Sequence, residues 1–313
     1  KRRLAPAAAP DDAFALVTMA YDPPGHPPKY LWRSLALAQA VRKLSRHPLV
    51  LLTNATEARI GAVAVRLAAL DVKVRPVYPV PVPATAGGEL EGARRIAFWK
   101  LQVLRLTEFR RILWLDVDTA LFRSVDGLFN QAPTMVRGAR CPSACVGGRS
   151  ARRTGWCGGA MLLEPNADTF EDLLAFAGRQ SGWVRGGDQQ LLADFYRHRF
   201  KKPITAFDVL DVAPGECLNL GAHFDVPGAL RGRVPWAMPA VVHRSSERNE
   251  CFDFDVGAQR VRIGGRVVNV CAHHPLGAYW RDLFCESALG VGLTGASAEL
   301  WPRAAEFCAD PEW

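Results

Sequence analysis

A short apolar segment that ends in two acidic residues constrains the fold and the chemistry of this chain more than any other feature. Residues 112–115 (ILWL) are followed by Asp116, Val117 and Asp118. Apolar segments of this length are typical of buried strands, in which alternate side chains point to the same side. Two carboxylates that share one side in an apolar setting need a positive partner, because burial disfavours their charged forms. A hard divalent cation, its coordination completed by phosphate oxygens, is the usual partner, which indicates an enzyme acting on a phosphorylated or nucleotide-linked substrate.

Apolar segments of strand and helix length alternate along the chain. The pattern predicts strands over residues 13–18, 49–53, 72–77 and 158–164, and helices over 30–44, 57–70, 96–109, 168–178 and from 187 onward, with Asp188 as the N-cap of the last. This alternation predicts an α/β fold with a mainly parallel sheet and helices on both of its faces. Ligands of such sheets bind outside the carboxyl ends of the strands, and Asp116 and Asp118 lie at one such end. We expect a single domain over residues 13–245 and a cysteine-containing C-terminal extension over 246–313 that packs on it.

Composition narrows the class of protein. The 313 residues are 49% hydrophobic and 22% charged, values that are typical of a folded globular protein. The net charge of +8 comes from scattered basic residues without interleaved aromatic residues, which favours an acidic substrate or surface over nucleic acid. Residues 1–12 are basic and then rich in Ala and Pro, which fits a disordered segment or a stem behind a removed signal or a membrane anchor upstream of residue 1.

The cysteines indicate the redox environment of the cellular compartment in which the protein resides. All eight lie from Cys141 onward, and an even number favours disulfides in an oxidising compartment, although cytosolic free thiols are the alternative. Residues 54–56 (NAT) form an N-glycosylation sequon, which also fits a secreted glycoprotein. We therefore expect the lumen of the Golgi or the ER, with the cytoplasm as the alternative.

Four stretches, taken in order, resemble the family 8 glycosyltransferases, the glycogenin-like group. They read FALVTMAYD, FWKLQVLRLTEFRRILWLDVDTALFRSVDGLF, GWCGGAMLLEPNADTFEDLL and GGDQQLLADFY, and a weaker fifth reads AVVHRSS. Together they span residues 13–246. The resemblance implies a GT-A fold, which is a Rossmann-like sheet with the DxD motif beside the donor. It also implies a retaining transfer from a UDP-sugar with Mn²⁺ as cofactor and Mg²⁺ as the alternative. The family's acceptors include glycans, glycoproteins and small polyols, and the motifs specify neither the acceptor nor an oligomeric state.

The resemblance also assigns site residues. It implies that Asp116, Asp118 and His243 hold the metal, with His274 as a competitor of His243. The implied catalytic residues are Lys100, Asp188 and Gln189, of which Lys100 also faces the donor. The implied donor-binding residues are Thr18, Met19, Tyr21, Asp22, Tyr30, Lys100, Asp116, Val117, Gly158, Gly159, Arg244 and Arg248.

Three positions depart from the pattern of the family. Cys157 stands where an Asn usually precedes Gly158 and Gly159, so the amide that would contact the hydroxyls of the donor sugar is absent. Arg185 replaces a carboxylate three residues before Asp188. After His243 the usual Lys-Pro-Trp segment is missing, and Arg244 or Arg248 would supply its positive charge with a different geometry.

Two other functions fit parts of the sequence. LDVDTAL matches the nucleophile motif of haloacid-dehalogenase-type phosphatases, in which Asp116 would attack phosphorus. That motif normally lies on the first strand of its fold, whereas an α/β pattern of about a hundred residues precedes it here. The second alternative is a non-catalytic protein that binds a nucleotide sugar, which the departures at Cys157 and after His243 would allow.

Overall fold

The computed structural model describes residues 13–22, 29–80, 96–132, 134–136, 157–179, 187–201, 205–207, 212–214, 241–243, 260–263, 266–269, 275–288, 305 and 307–309. The strands are β1 (Phe14–Ala20), β2 (Leu49–Thr53), β3 (Val72–Pro76), β4 (Arg111–Leu115), β5 (Thr119–Leu121), β6 (Thr134–Val136), β7 (Cys157–Leu163), β8 (Thr205–Ala206), β9 (Val212–Pro214), β10 (Val241–His243), β11 (Arg260–Ile263) and β12 (Arg266–Asn269). The helices are α1 (Lys29–Leu44), α2 (Glu57–Ala69), α3 (Ala167–Arg179), α4 (Gly187–Phe200) and α5 (Pro275–Ala288), with 3₁₀ helices at Phe98–Arg105 and Asp126–Asn130. None of the described helices is long and apolar enough to cross a membrane.

The main sheet has seven strands in the order β3-β2-β1-β4-β7-β6-β8. The four strands from β3 to β4 run parallel, and β7 is antiparallel to both β4 and β6. A smaller sheet pairs β10 with β5 and β9, and β11 pairs with β12 as a separate antiparallel hairpin. The order places β4 in the middle of the main sheet, so residues that follow its carboxyl end lie at the centre of one edge.

The two faces of the sheet are covered by different helices. Leu16 of β1 and Leu113 of β4 lie in a core with α1 and α5, whereas Val17 and Trp114 lie in a second core with the 3₁₀ helix Phe98–Arg105, α3 and α4. Neighbouring strand residues alternate between the cores because successive side chains point to opposite faces. Helices therefore pack on both faces, and the predicted mixed, mainly parallel α/β fold is confirmed.

The C-terminal part packs against α1. Trp280 and Phe284 of α5 belong to the same core as α1. A disulfide joins Cys285 of α5 to Cys308, and Phe307 packs edge-on against the Phe284 ring. These contacts attach residues 307–309 to α5. The disulfide also pairs two of the eight cysteines, from whose even number we predict an oxidising compartment.

Two local predictions differ from the structure. The segment 96–109, predicted as a regular helix, contains a 3₁₀ helix at Phe98–Arg105 and a turn before β4. Phe98, Leu101 and Leu104 are all buried and three residues apart, the spacing that one face of a 3₁₀ helix aligns. Asp188 is not an N-cap, because α4 begins at Gly187 and Asp188 lies in its first turn.

Candidate functional site

The two carboxylates of the DxD motif lie in a turn between β4 and β5. The Asp116 amide donates to the Gly159 carbonyl at 2.8 Å, and the Asp116 carbonyl accepts from the Thr119 amide at 3.0 Å. The sequence pattern had suggested that both carboxylates share one side of a strand. The strand instead ends at Leu115, and the Asp116–Thr119 hydrogen bond closes a turn with Val117 and Asp118 at its centre. Both side chains are partly exposed, so the turn presents them at the edge of the sheet.

Lys100 lies between two of the predicted site carboxylates. Its ammonium nitrogen is 3.0 Å from Asp188 Oδ2 and 3.3 Å from Asp116 Oδ1, and it donates to the Gly158 carbonyl at 3.4 Å. The Lys100 and Asp188 side chains are buried, and that of Asp116 is 28% exposed. The structure thus brings together residues from the 3₁₀ helix, the DxD turn, β7 and α4.

Trp114 supports this cluster from the second core and is not among the predicted site residues. Its indole nitrogen donates to Asp116 Oδ1 at 2.8 Å, and the Lys100 ammonium lies 5.7 Å from the centre of its ring. A signal was present in the sequence, because Trp114 precedes Asp116 by two residues and side chains two apart on a strand share a face.

Gly158 allows the cluster to close. A Cβ atom at this position would lie 3.1 Å from Asp188 Oδ2, 3.2 Å from Gln189 Cγ and 3.4 Å from the Lys100 ammonium. The first two separations are tighter than nine in ten real Cβ contacts. The predicted glycine, the DQ pair and the lysine therefore form one closely packed group.

Asp22 caps a helix in the structure. Its carboxylate accepts from the Tyr30 amide at 2.7 Å and from the Leu31 amide at 3.0 Å, which satisfies two unpaired donors at the start of α1. Its backbone is tied to Asn54, since the Asp22 amide donates to Asn54 Oδ1 and Asn54 Nδ2 donates to the Asp22 carbonyl at 2.9 Å. The amide of Asn54, the acceptor residue of the predicted sequon, is thus engaged in a part-buried contact.

The remaining residues that were predicted to bind the donor lie in varied surroundings. Thr18 is fully buried on β1, and within the described part of the chain its hydroxyl has no hydrogen-bond partner. Met19 packs partly buried against the second core, and Val117 is buried in the DxD turn. Tyr21 contacts the Trp99 ring edge-on at 4.8 Å, and Tyr30 is 40% exposed at the start of α1.

The third predicted metal ligand approaches the DxD turn through its backbone. In the pairing of β10 with β5, His243 lies opposite Thr119, the residue after Asp118. Among the side chains that the structure describes, no group of three or more potential metal ligands occurs, and the His243 side chain is outside that set. The carboxylates of Asp116 and Asp118 offer the oxygen donors that a hard divalent cation prefers.

Several predicted residues lie outside the described residues. These are Arg244, Arg248 and the competitor ligand His274, together with the departure at Arg185. Of Cys157 only the backbone is described, as the first residue of β7.

Comparison with known proteins agrees with the motif order. A relative from Arabidopsis thaliana, named as a UDP-glucuronate:xylan alpha-glucuronosyltransferase, is 26% identical over 179 residues, which cover 56% of this chain and 28% of that protein. Glycogenin-1 of Caenorhabditis elegans is 31% identical over 105 residues, which cover 32% of this chain and 21% of that protein. The match therefore spans less than a third of each of these relatives. No protein-family model matches the chain.

A solved structure supports the fold over nearly the whole chain. The galactosyltransferase LgtC, in complex with donor and acceptor sugar analogs, superposes with a TM-score of 0.54 at 15% identity. The match covers 92% of this chain and 99% of that one. The named relatives confirm the resemblance to the glycogenin-like glycosyltransferases, and the structural match confirms the GT-A fold. The chain is thus a relative of glycosyltransferases and has their architecture.

Proposed function

We propose that this chain is a retaining glycosyltransferase that transfers a sugar from a UDP-sugar to an acceptor hydroxyl. The observation that carries the proposal is the Lys100 ammonium held between Asp116 and Asp188 at the edge of the sheet. This arrangement joins the DxD turn to the first turn of α4 in a fold that glycosyltransferases share. The names of the relatives make UDP-glucuronate a donor to test first, alongside UDP-galactose from the LgtC comparison.

The residues of the cluster would act on the donor in different ways. Lys100 would present positive charge to the diphosphate, where negative charge develops as UDP departs. Asp188 and Gln189 would orient the transferred sugar, since both lie within 3.2 Å of the Cβ position of Gly158. In the net reaction a bond from the acceptor oxygen to the anomeric carbon replaces the bond from that carbon to the phosphate oxygen, and UDP leaves with the electron pair. Retention fits either a front-side transfer, with a donor phosphate oxygen taking the hydroxyl proton, or a covalent intermediate.

The metal-binding part of the proposal concerns Asp116 and Asp118, with His243 as a third ligand. The carboxylate oxygens of the DxD turn and the register of His243 beside that turn support it. Mn²⁺ is the preferred ion and Mg²⁺ an alternative, because carboxylate oxygens suit both and imidazole suits Mn²⁺ acceptably. When bound, such an ion supplies Lewis-acid stabilisation of the departing diphosphate.

The proposal also covers the cellular compartment of the protein and the class of its acceptor. The Cys285–Cys308 disulfide supports a lumenal location in the Golgi or the ER rather than the cytoplasm. The acceptor would be a glycan, a glycoprotein or a small polyol.

The test is UDP release from a panel of UDP-sugars with Mn²⁺, with and without EDTA. We expect release from one donor that EDTA and Asp118→Ala abolish. Asp168→Ala, which removes an exposed carboxylate from the first turn of α3, is the matched control and should keep the activity.

The other outcomes separate the alternatives. In one of them, UDP protects the chain against thermal unfolding while no UDP-sugar releases UDP with any acceptor of a broad panel. This result would indicate a protein that only binds nucleotide sugars. Hydrolysis of a phosphate ester that Asp116→Asn abolishes, with no binding of UDP, would instead indicate the phosphatase and contradict the proposal.

A further inference from the structure

Trp114 makes two polar contacts from inside the core. Its side chain is 1% exposed on β4, in the middle of the main sheet. The indole N–H donates to Asp116 Oδ1 at 2.8 Å, and the ring lies beneath the Lys100 ammonium at 5.7 Å. A buried indole N–H usually needs an acceptor, and here the acceptor is the first carboxylate of the DxD turn.

The surroundings of Trp114 make it a rigid support. β4 is paired on one side with β1 and on the other with β7, where Met161 lies opposite Trp114. Side chains in such a close-packed interior sit in low-energy rotamers and interdigitate with their neighbours. The indole N–H therefore has a fixed direction, whereas Asp116 lies in a turn and has a partly exposed side chain.

We propose that Trp114 is a positioning residue, which fixes the Asp116 carboxylate through its N–H and steadies the Lys100 ammonium over its ring. This inference rests on the proposed function. Asp116 Oδ1 receives both the indole N–H and the Lys100 ammonium, so the orientation of the carboxylate and its distance from the ammonium are set together. Removal of the N–H would take away one contact that orients the carboxylate, and a cation held by Asp116 would bind a less well-oriented ligand.

The experiment compares two replacements of Trp114. Trp114→Phe removes the N–H and part of the ring, while β-(3-benzothienyl)alanine incorporated at the same position keeps the bicyclic ring and lacks only the N–H. Trp280→Phe is the matched control, because Trp280 is a buried indole in the other core, stacked on Phe284 of α5. Mn²⁺ binding to the full chain, with UDP present, is measured by electron paramagnetic resonance, alongside thermal unfolding and the KM values for donor and acceptor.

Outer contacts that orient metal ligands typically contribute about 10- to 100-fold to metal affinity. We expect the benzothienyl variant to bind Mn²⁺ about tenfold more weakly, with the acceptor KM unchanged, and Trp280→Phe to keep the wild-type Mn²⁺ affinity. If Trp114→Phe fails to fold, the benzothienyl variant still decides the question, because it preserves the volume of the core.

Two results would overturn the inference in distinguishable ways. Wild-type Mn²⁺ affinity and acceptor KM in the benzothienyl variant, with an active wild-type enzyme, would remove the role of Trp114 and leave the proposed function intact. A wild-type chain that binds neither UDP nor Mn²⁺ would overturn the proposed function and this inference with it.

Discussion

Lys100 and Asp188 form a buried ion pair that joins the 3₁₀ helix before β4 to the first turn of α4. The ammonium nitrogen lies 3.0 Å from Asp188 Oδ2, and the two side chains are 7% and 9% exposed. Loss of one member of a buried pair is costly, because it leaves the other charge without compensation in a poorly solvated place. The same pair lies at the centre of the proposed site, so stability and activity depend on one contact.

Lys100→Met should therefore destabilise the fold as well as reduce activity. We expect the free energy of unfolding to fall by about 3 kcal/mol, the lower end for a broken buried pair. Lys43→Met is the control, because Lys43 pairs with Glu286 at the surface, where both side chains are nearly half exposed. That pair should contribute less than about 1 kcal/mol. Urea denaturation of both variants measures the difference. Equal losses of unfolding free energy would show that the burial of Lys100 adds nothing to the contribution of its ion pair.

Gly158→Ala should impair transfer more than it impairs folding. The new methyl group would press on Asp188 Oδ2 and Gln189 Cγ, which must move by a few tenths of an ångström. Because small displacements in a catalytic geometry cost large factors in rate, we expect kcat to fall about tenfold or more. Gly127→Ala is the matched control, since a Cβ there has no atom within 4 Å and should leave kcat unchanged. A Gly158→Ala enzyme with wild-type kcat would mean that Asp188 and Gln189 can move to accommodate the methyl group without loss of activity.

Much of the architecture could be predicted because it depends on local periodicity. The strand at Leu49–Thr53 agrees with its prediction at both ends, and α1 and α2 agree to within one residue. The two-sided burial of the sheet also follows from the alternation of strands and helices. The 3₁₀ helix at Phe98–Arg105 could not be predicted in this way. Over so short a segment, buried residues that are three positions apart lie on one face of an α-helix as well as of a 3₁₀ helix.

The candidate site could be predicted only residue by residue. The motifs named Lys100, Asp116 and Asp188, but their mutual contacts depend on how β4, β7 and α4 pack, which no local pattern encodes. The acidic pair needs a positive partner, and the sequence predicts a metal ion in that role. In the structure a lysine already partners Asp116, while Trp114, from the apolar segment of the same strand, donates to the same oxygen.

Tyr196 should make stability fall at alkaline pH. Burial raises the pKa of its hydroxyl to about 12, and the Glu164 carboxylate adds to the rise. Between pH 10 and about 12 the folded chain therefore keeps a proton that the unfolded chain releases, so the free energy of unfolding decreases as pH rises through this window. Tyr196→Phe should make that decrease shallower, and urea denaturation at pH 9 and pH 11 measures it. Tyr78→Phe, at a side chain 63% exposed, is the control, and an equal effect of both variants would contradict the assignment to Tyr196.

Asp22 offers a test between a structural role and a donor-binding role. Its buried carboxylate accepts two amides at the start of α1, so Asp22→Ala should lower the free energy of unfolding by about 2 kcal/mol, the upper end for a lost cap. Asn166→Ala is the matched control, because Asn166 accepts the Thr169 amide at an exposed helix start, where we expect a loss of about 1 kcal/mol.

Binding of UDP separates the two roles of Asp22. If Asp22 acts as a cap, the folded fraction of Asp22→Ala should bind UDP with nearly the wild-type Kd, measured by calorimetry well below the melting temperature. A direct contact with the donor would give the reverse, a large loss of UDP affinity with little change in unfolding free energy. Because the Asn54 amide also ties the Asp22 backbone to the end of β2, Asn54→Ala should reproduce part of the destabilisation and none of a specific binding defect. A strong loss of UDP binding in Asp22→Ala alone would therefore return Asp22 to the donor site.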